Sequence, residues 1–307
     1  MSRHTVKSKS SRRGFVKIGM AGTATVLASS EIIADNDPKV DVWVLHGTDK
    51  QRLMQKALEL IQENGWFGSN VKTLALKVNA AWSRTPEEGA NTHPDLVDAF
   101  IKGVKKGGVK EVILPEHPCN NAKIAFERSG IKSVADENKC KMIDLKTRQK
   151  SFREVQIPLG KKLKTAEVAA EFIDVDAVVN MPVAKHHEGA TLSIAMKNWM
   201  GIIKDRRHWH RTDLHQCIAD FSTFMKPSWT IIDATRCMLD SGPQGPANEL
   251  KIPDLLILSK DQVAADAYAS SIFHETPYAV KYLKYAEEMG IGVVDSSQMN
   301  IHKIEVG

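Results

Sequence analysis

Four cysteines are all that this chain of 307 residues contains, at 119, 140, 217 and 237. They form no CxxC pair and no four-cysteine cluster, which argues against a protein-held iron–sulfur cluster. One or two disulfides outside the cytoplasm, or free buried thiols, fit them equally well. GxGxxG is absent, so there is no dinucleotide fingerprint. GxxxxGK[ST] is absent too, and with it the phosphate loop. The GxSxG of a nucleophile elbow does not occur. Neither HxxxH nor HExxH occurs, so no helical zinc pattern is present. No apolar run reaches the roughly 20 residues that a bilayer crossing takes.

The excess of positive charge is confined to one end. Residues 1–34 carry Arg3, Lys7, Lys9, Arg12, Arg13 and Lys17 against Glu31 alone. Without them 36 basic and 36 acidic residues remain. A formally neutral body lacks the positive footprint that nucleic acid requires. The stretch SRRGFVK, Ser11 to Lys17, resembles the twin-arginine export signal: two arginines, one spacer, a Phe and an aliphatic residue in order. A weakly apolar run from Ile18 to Ala28 follows, and small residues then allow cleavage after Ala28, Ser30 or Ala34. Residues 1–34 are therefore expected to be a signal read by the twin-arginine translocase, and residues 35–307 a domain delivered to the periplasm or another extracytoplasmic compartment. An uncut signal would act as a membrane tether.

In the body, strand-like and helix-like segments alternate. VDVWVL (40–45), TLALKVN (73–79), EVILPEH (111–117), DAVVNMPV (176–183), SWTIIDA (228–234) and LLILS (255–259) read as strands. Helical text separates most of them, including DKQRLMQKALELIQEN and TDLHQCIADFSTFM. AEVAAEFI and Thr191 to Trp199 also read as helical, whereas RRHWH suits a strand or loop. This order predicts an α/β fold, a largely parallel sheet with helices on both faces, in a single domain.

In such sheets ligands bind beyond the carboxyl ends of the strands. The second strand delivers Lys77 and Asn79 there, the third Glu116, His117 and Cys119. The strand at 176–183 delivers Asn180 and then Lys185 and His186, and TIID delivers Asp233, followed by Arg236. The stretch VAKHHEGATLSIAMKNWMG places Lys185, His186, Lys197 and Asn198 among small apolar residues, where a lysine either reaches for solvent or is partly desolvated with altered basicity. Five of the 11 histidines fall between 186 and 215. They read either as metal ligands or, by default, as surface and hydrogen-bonding groups.

The body resembles the family known as domain of unknown function 362. The resemblance rests on LKVNAAW, DAVVNMPVAKHHEGATLSIAMKNWMGII, TIIDATRCMLDSGPQGP and LSKDQVAADAYAS taken together. It implies an α/β fold with these polar residues facing one cleft, and a hint of redox chemistry from relatives that carry an added cluster segment whose cysteines this chain lacks.

Two readings of function follow. One is an exported enzyme acting on a small anionic or carbonyl-bearing substrate, dependent on a metal or linked to a redox partner. In it Lys77, Lys185, Lys197 and the acid/base candidate His186 are catalytic. Asn79, Asn180, Asn198 and Asp233 bind the substrate, and Glu116 and His117 are the candidate ligands of a divalent metal. The other is a non-catalytic binding or assembly protein for an anionic ligand. Whichever holds, replacing Arg12 and Arg13 together by Lys is expected to trap the precursor in the cytoplasm. Fractionation of cells showing normal export of that variant would overturn the signal assignment.

Overall fold

The computed structural model describes residues 39–67 and 70–307, so the expected export signal and its cleavage positions lie outside the described residues. Residues 39–307 form one compact body. The first strand, β1 (Val40–His46), leads into α1 (Lys50–Glu63). Asp49 starts that helix by accepting the backbone N–H groups of Gln51 and Arg52. Leu53, Met54, Ala57, Leu60 and Ile61 recur at helical spacing and fix its buried face. Next come β2 (Thr73–Val78), α2 (Pro94–Lys106), β3 (Glu111–Glu116), α3 (Ala122–Arg128), α4 (Ile131–Glu137) and β4 (Lys141–Asp144). After β5 (Phe152–Gln156) and β6 (Thr165–Ala169) the chain returns as β7 (Ala177–Met181), β8 (Val183–His187) and β9 (Thr191–Ser193). Helices α5 (Ala195–Asn198), α6 (Arg206–Thr212) and α7 (Leu214–Phe224) precede β10 (Trp229–Met238), β11 (Leu250–Lys251) and β12 (Leu255–Ser259). Helices α8 (Gln262–Ser270) and α9 (Lys281–Glu288) and the strand β13 (Met299–Glu305) close the chain.

The main sheet runs β13-β1-β12-β10-β7-β2-β3-β4, with β8, β9 and β11 attached beside β10. Its strand pairs are parallel except where β12 meets β1 and β10, and where β9 and β11 meet their neighbours. Alternation along the strands divides the interior into two layers. Trp43, Leu74, Leu76, Ile231 and Leu256 face α1 to α4, whereas Val44, Ala75, Ile232 and Ile257 face the helices from α5 onward. The expected largely parallel, doubly covered α/β sheet is therefore found. The crossover from β2 leads to β3 on one side, while β7 returns to the other side of β2. The strand order thus reverses between β7 and β2, and a crevice opens above their carboxyl ends.

Three local expectations are corrected. AEVAAEFI is not one helix: its first half lies in β6, which pairs with β5 in a separate two-stranded sheet because cross-strand pairing overrides the helix preference of Ala and Glu, and only Ala170–Phe172 make a 3-10 turn. Thr191 to Trp199 is not one helix but β9, the single turn of α5 and a 3-10 turn from Trp199 to Ile202. RRHWH is helical, started by Asp205 accepting the His208 N–H and anchored by the buried Trp209. The cysteines are four free thiols, Cys119 exposed and the others buried.

The short α5 depends on α8. Asp266 accepts the Ala195 N–H at 2.7 Å and the Met196 N–H at 3.0 Å, and Gln262 accepts the Trp199 indole N–H at 2.7 Å. Asp261 starts α8 and also accepts the Val293 N–H. The spacing Asp-x-x-Ala-x-Asp in this chain is thus an anchoring device. Replacing Asp266 by Ala orphans two buried donors and is expected to lower stability by about 1–3 kcal/mol in urea unfolding. An unchanged midpoint would show that α5 does not need this cap.

Candidate functional site

Lys77 and Asn180 are register partners on β2 and β7, so both project from the same face above the crevice. Asn198, on α5, bridges them. Its amide donates to Asn180 Oδ1 at 2.8 Å and to the Lys77 carbonyl at 3.2 Å, and its oxygen accepts from Lys77 Nζ at 3.1 Å. Asn180 in turn donates to the Ala195 carbonyl at 2.8 Å. The Lys77 ammonium also pairs with Glu116 Oε2 at 2.8 Å, both side chains being 1 % exposed. Burial lowers the basicity of Lys77, and Glu116 opposes that shift. Glu116 Oε2 also accepts the Ala80 N–H, while Oε1 is buried without a partner.

Gly201 lies directly over this pair. A Cβ there would strike Glu116 Oε1 and come within 2.8 Å of Lys77 Nζ, so close approach, not backbone conformation, demands glycine. The loop after β2 is pinned by Thr92, whose hydroxyl accepts the Asn79 N–H and donates to the Met181 carbonyl, both at 2.8 Å. Asn91 ties Trp82 and Arg84 together within that loop.

Two further lysines are buried here. Lys185 donates to the Ala90 carbonyl and to Asn79 Oδ1 and lies 5.8 Å from the centre of the Trp82 ring. Burial, with Lys197 adding to it, pushes its pKa down to about 7. Lys197 is 8 % exposed and has no hydrogen-bond partner among the described residues. Burial, with Arg206 adding to it, pushes it down to about 8. Lys77, Lys197, Glu116, Cys119, Asn79 and Asn198 line one cleft with Trp82, Gly201 and Arg206. Arg206 hydrogen-bonds the carbonyls of His117 and Pro118 and the Cys119 sulfur. Two roomier grooves, one beside Trp43 and Lys260 and one between α1 and α2, gather none of these buried charges. The charges therefore decide which hollow is the site.

The structure thus brings Lys77, Lys197, Asn79, Asn198 and Glu116 to the cleft and sets Lys185 and Asn180 immediately behind it. It does not bring His186, His117 or Asp233. Alternation along β8 turns His186 away from Lys185, and its Nδ1 accepts the Gly242 N–H at 3.2 Å. His117 packs against Phe152 with Nδ1 on the Ile203 carbonyl at 2.8 Å. Asp233 accepts the His93 N–H with one oxygen and the Thr235 N–H and hydroxyl with the other, so it holds the loop before α2. Among the described residues no three His, Cys, Asp or Glu side chains gather as a metal would need. Three cations, Lys77, Lys197 and Arg206, stand against the single carboxylate of Glu116 in the cleft lining, which suits an anion better than a divalent cation. Arg206 was invisible to sequence reasoning because only space joins it to the cleft, although Asp205 before it was a legible helix start.

Residues 74–271 match the family described as Domain of unknown function (DUF362). The chain belongs to that family. A thylakoid-associated protein, sll1697, from Synechocystis sp. is 22 % identical over 256 residues, which cover 78 % of this chain and 75 % of that one. Among solved structures, a protein from Thermotoga maritima is similar with a TM-score of 0.50 and 13 % identity, over 75 % of this chain and 60 % of that one. The lactate racemase apoprotein from Thermoanaerobacterium thermosaccharolyticum gives a TM-score of 0.48 at 12 % identity, over 77 % of this chain and 58 % of that one. This DUF362 chain therefore spans about 60 % of the length of these solved structures, and the likeness to the Thermotoga maritima protein at 13 % identity is one of fold.

Replacing Gly201 by Ala is expected to push Glu116 and Lys77 apart at a cost of about 1–3 kcal/mol, the usual range for overpacking a dense interior. Thermal unfolding measures the loss. A variant as stable as the parent would show that the pair relaxes freely.

Proposed function

We propose that the cleft binds a small anion bearing a carbonyl carbon and that the protein is an exported enzyme acting on it. The observation that carries this reading is Lys197: its side chain is buried along the cleft wall, and its ammonium keeps access to the cleft with no hydrogen-bond partner among the described residues. Lys77 and Arg206 line the cleft with it, Lys185 lies close behind, and Glu116 is the one carboxylate among the lining residues. Burying an uncompensated cation costs several kcal/mol, and a bound anion supplies the missing countercharge.

In this reading Lys197 takes the anionic or carbonyl oxygen. Asn79 and Asn198 orient it, and Lys77 presents fixed positive charge from the floor. With a pKa near 8, Lys197 exists partly as the free amine close to neutral pH, so proton transfer falls to it, while His186 faces away from the cleft. Delivery by the twin-arginine translocase to an extracytoplasmic compartment, and a redox partner there, belong to the same proposal. The second reading, a protein that binds and releases an anion unchanged, draws on the same partnerless ammonium.

Sulfate keeps its charge across the neutral range and is a suitable probe. Its affinity is expected to fall as pH rises through about 8, because Lys197 then loses its proton. Lys197→Met should weaken binding about tenfold or more, the worth of one charge-assisted hydrogen bond, and remove that part of the pH dependence. Calorimetry that detects no sulfate binding at pH 6.5 would overturn the reading. Exchange of the methyl protons of pyruvate with D2O, faster with the parent than with Lys197→Met, selects the enzyme. Binding without exchange selects the binding protein.

A further inference from the structure

We infer that Cys119 is the nucleophile of this cleft, and that it reacts with small carboxylates whose neighbouring carbon is electrophilic. This rests on the anion-binding reading above and adds a covalent site to it. Cys119 is the one exposed thiol of the four, all of which lie among the described residues. It is held in place rather than free to swing. Its N–H donates to the Ala81 carbonyl at 3.0 Å, and the Arg206 guanidinium donates to its sulfur at 3.1 Å. Cys119 is one of the residues that line the cleft with Lys77, Glu116 and Lys197.

One feature independent of the thiol points to an anionic ligand beside it: Lys197, more than nine-tenths buried, has no hydrogen-bond partner among the described residues. A carboxylate drawn to Lys197 and Arg206 would bring its adjacent carbon next to the thiol. Clefts in which one sign of charge predominates, as Lys77, Lys197 and Arg206 do here over Glu116, raise the local concentration of the opposite sign, by tenfold or more in favourable cases.

The chemistry balances without an outside oxidant. With a 2-oxo acid, the sulfur–carbon bond forms as the carbonyl π pair moves to oxygen, and that oxygen takes the thiol proton, giving a hemithioketal. With a haloacetate, the sulfur–carbon bond forms as the carbon–halogen bond breaks, and halide and a proton leave. Cys140, Cys217 and Cys237 offer no competing route, since burial both hides them and pushes their pKa values up.

Paired alkylation of the folded protein by iodoacetate and by uncharged iodoacetamide, read by peptide mass spectrometry, tests this. The ratio of iodoacetate to iodoacetamide rates at Cys119 is expected to exceed that of the urea-unfolded chain by about tenfold or more. It should fall toward the unfolded value in Lys197→Met and, for the parent protein, in 1 M salt, where charges are screened within about 3 Å. The salt arm stands even where the variant fails to fold. A folded-state ratio equal to the unfolded one, or labelling spread over the other cysteines, overturns the inference. Sulfate binding to Cys119→Ser separates the two ideas. If it persists while the parent shows no iodoacetate preference, the covalent site fails alone. If the parent binds no sulfate, both fail.

Discussion

The ion pair between Lys77 and Glu116 is the interaction on which the rest of the site is arranged. Two charges withdrawn from water are expensive, and their mutual attraction repays the cost only where further hydrogen bonds complete the shell. Here two stretches of chain build the shell: the backbone at Val78 and Ala80 after β2, and the segment from Asn198 on α5 to Gly201, whose bare backbone closes over the pair. Each piece is itself held by something more distant, α5 by Asp266 and Gln262 on α8, and the Gly201 carbonyl by the His117 N–H at 2.8 Å. The pair therefore fixes how β2, β3 and the turn after α5 meet. It also leaves one carboxylate oxygen buried under Gly201 without a partner.

With Glu116 engaged by Lys77, no carboxylate remains for Lys197, and Lys185 is left to carbonyl and amide oxygens and the face of Trp82. Such an arrangement runs against stability, since each unpaired cation resists burial. A fold chosen for stability alone would place apolar side chains at these positions. That these cations sit at the reversal point of the strand order, where open α/β sheets take their ligands, joins an electrostatic cost to a geometric opportunity.

The alternation of strands and helices made the fold legible, because strands buried on both faces read as short apolar runs and each connection needs a helix. Direction was less visible. Nothing in LLILS marks β12 as the antiparallel strand of the main sheet, and β13 was hidden in a charged, exposed tail. In the site, the residues nearest the strand ends were readable: Lys77, Asn79, Glu116 and Lys185 follow from where their strands stop. Asn198 and Lys197 followed from their place before Gly201. His186 failed because one step along a strand reverses the side chain, and His117 failed in a similar way beside Glu116. Asp233 was expected to bind substrate, yet backbone and hydroxyl donors from the loop before α2 and from Thr235 occupy it. Arg206 sits on a helix that the text RRHWH disguised, and only the folded chain brings it to Cys119.

Low lysine basicity and anion binding are two sides of one equilibrium. In the free protein, burial holds Lys185 near 7 and Lys197 near 8, so the cleft sheds part of its charge just above neutrality. An anion settling beside them favours the charged forms and raises both values, so protons are taken up as it binds. The unfolded chain keeps both lysines protonated to about 10.5. Between the folded and unfolded values the unfolded state therefore binds more protons, and stability of the free protein rises with pH across that window. Below it both lysines are charged in each state and their full desolvation penalty is present. An anion that neutralises them removes most of that penalty, and its stabilising effect is therefore largest at the acidic end of the same window. The charge that makes the empty cleft costly is thus the charge that makes the filled one stable, and one pair of titrations governs both.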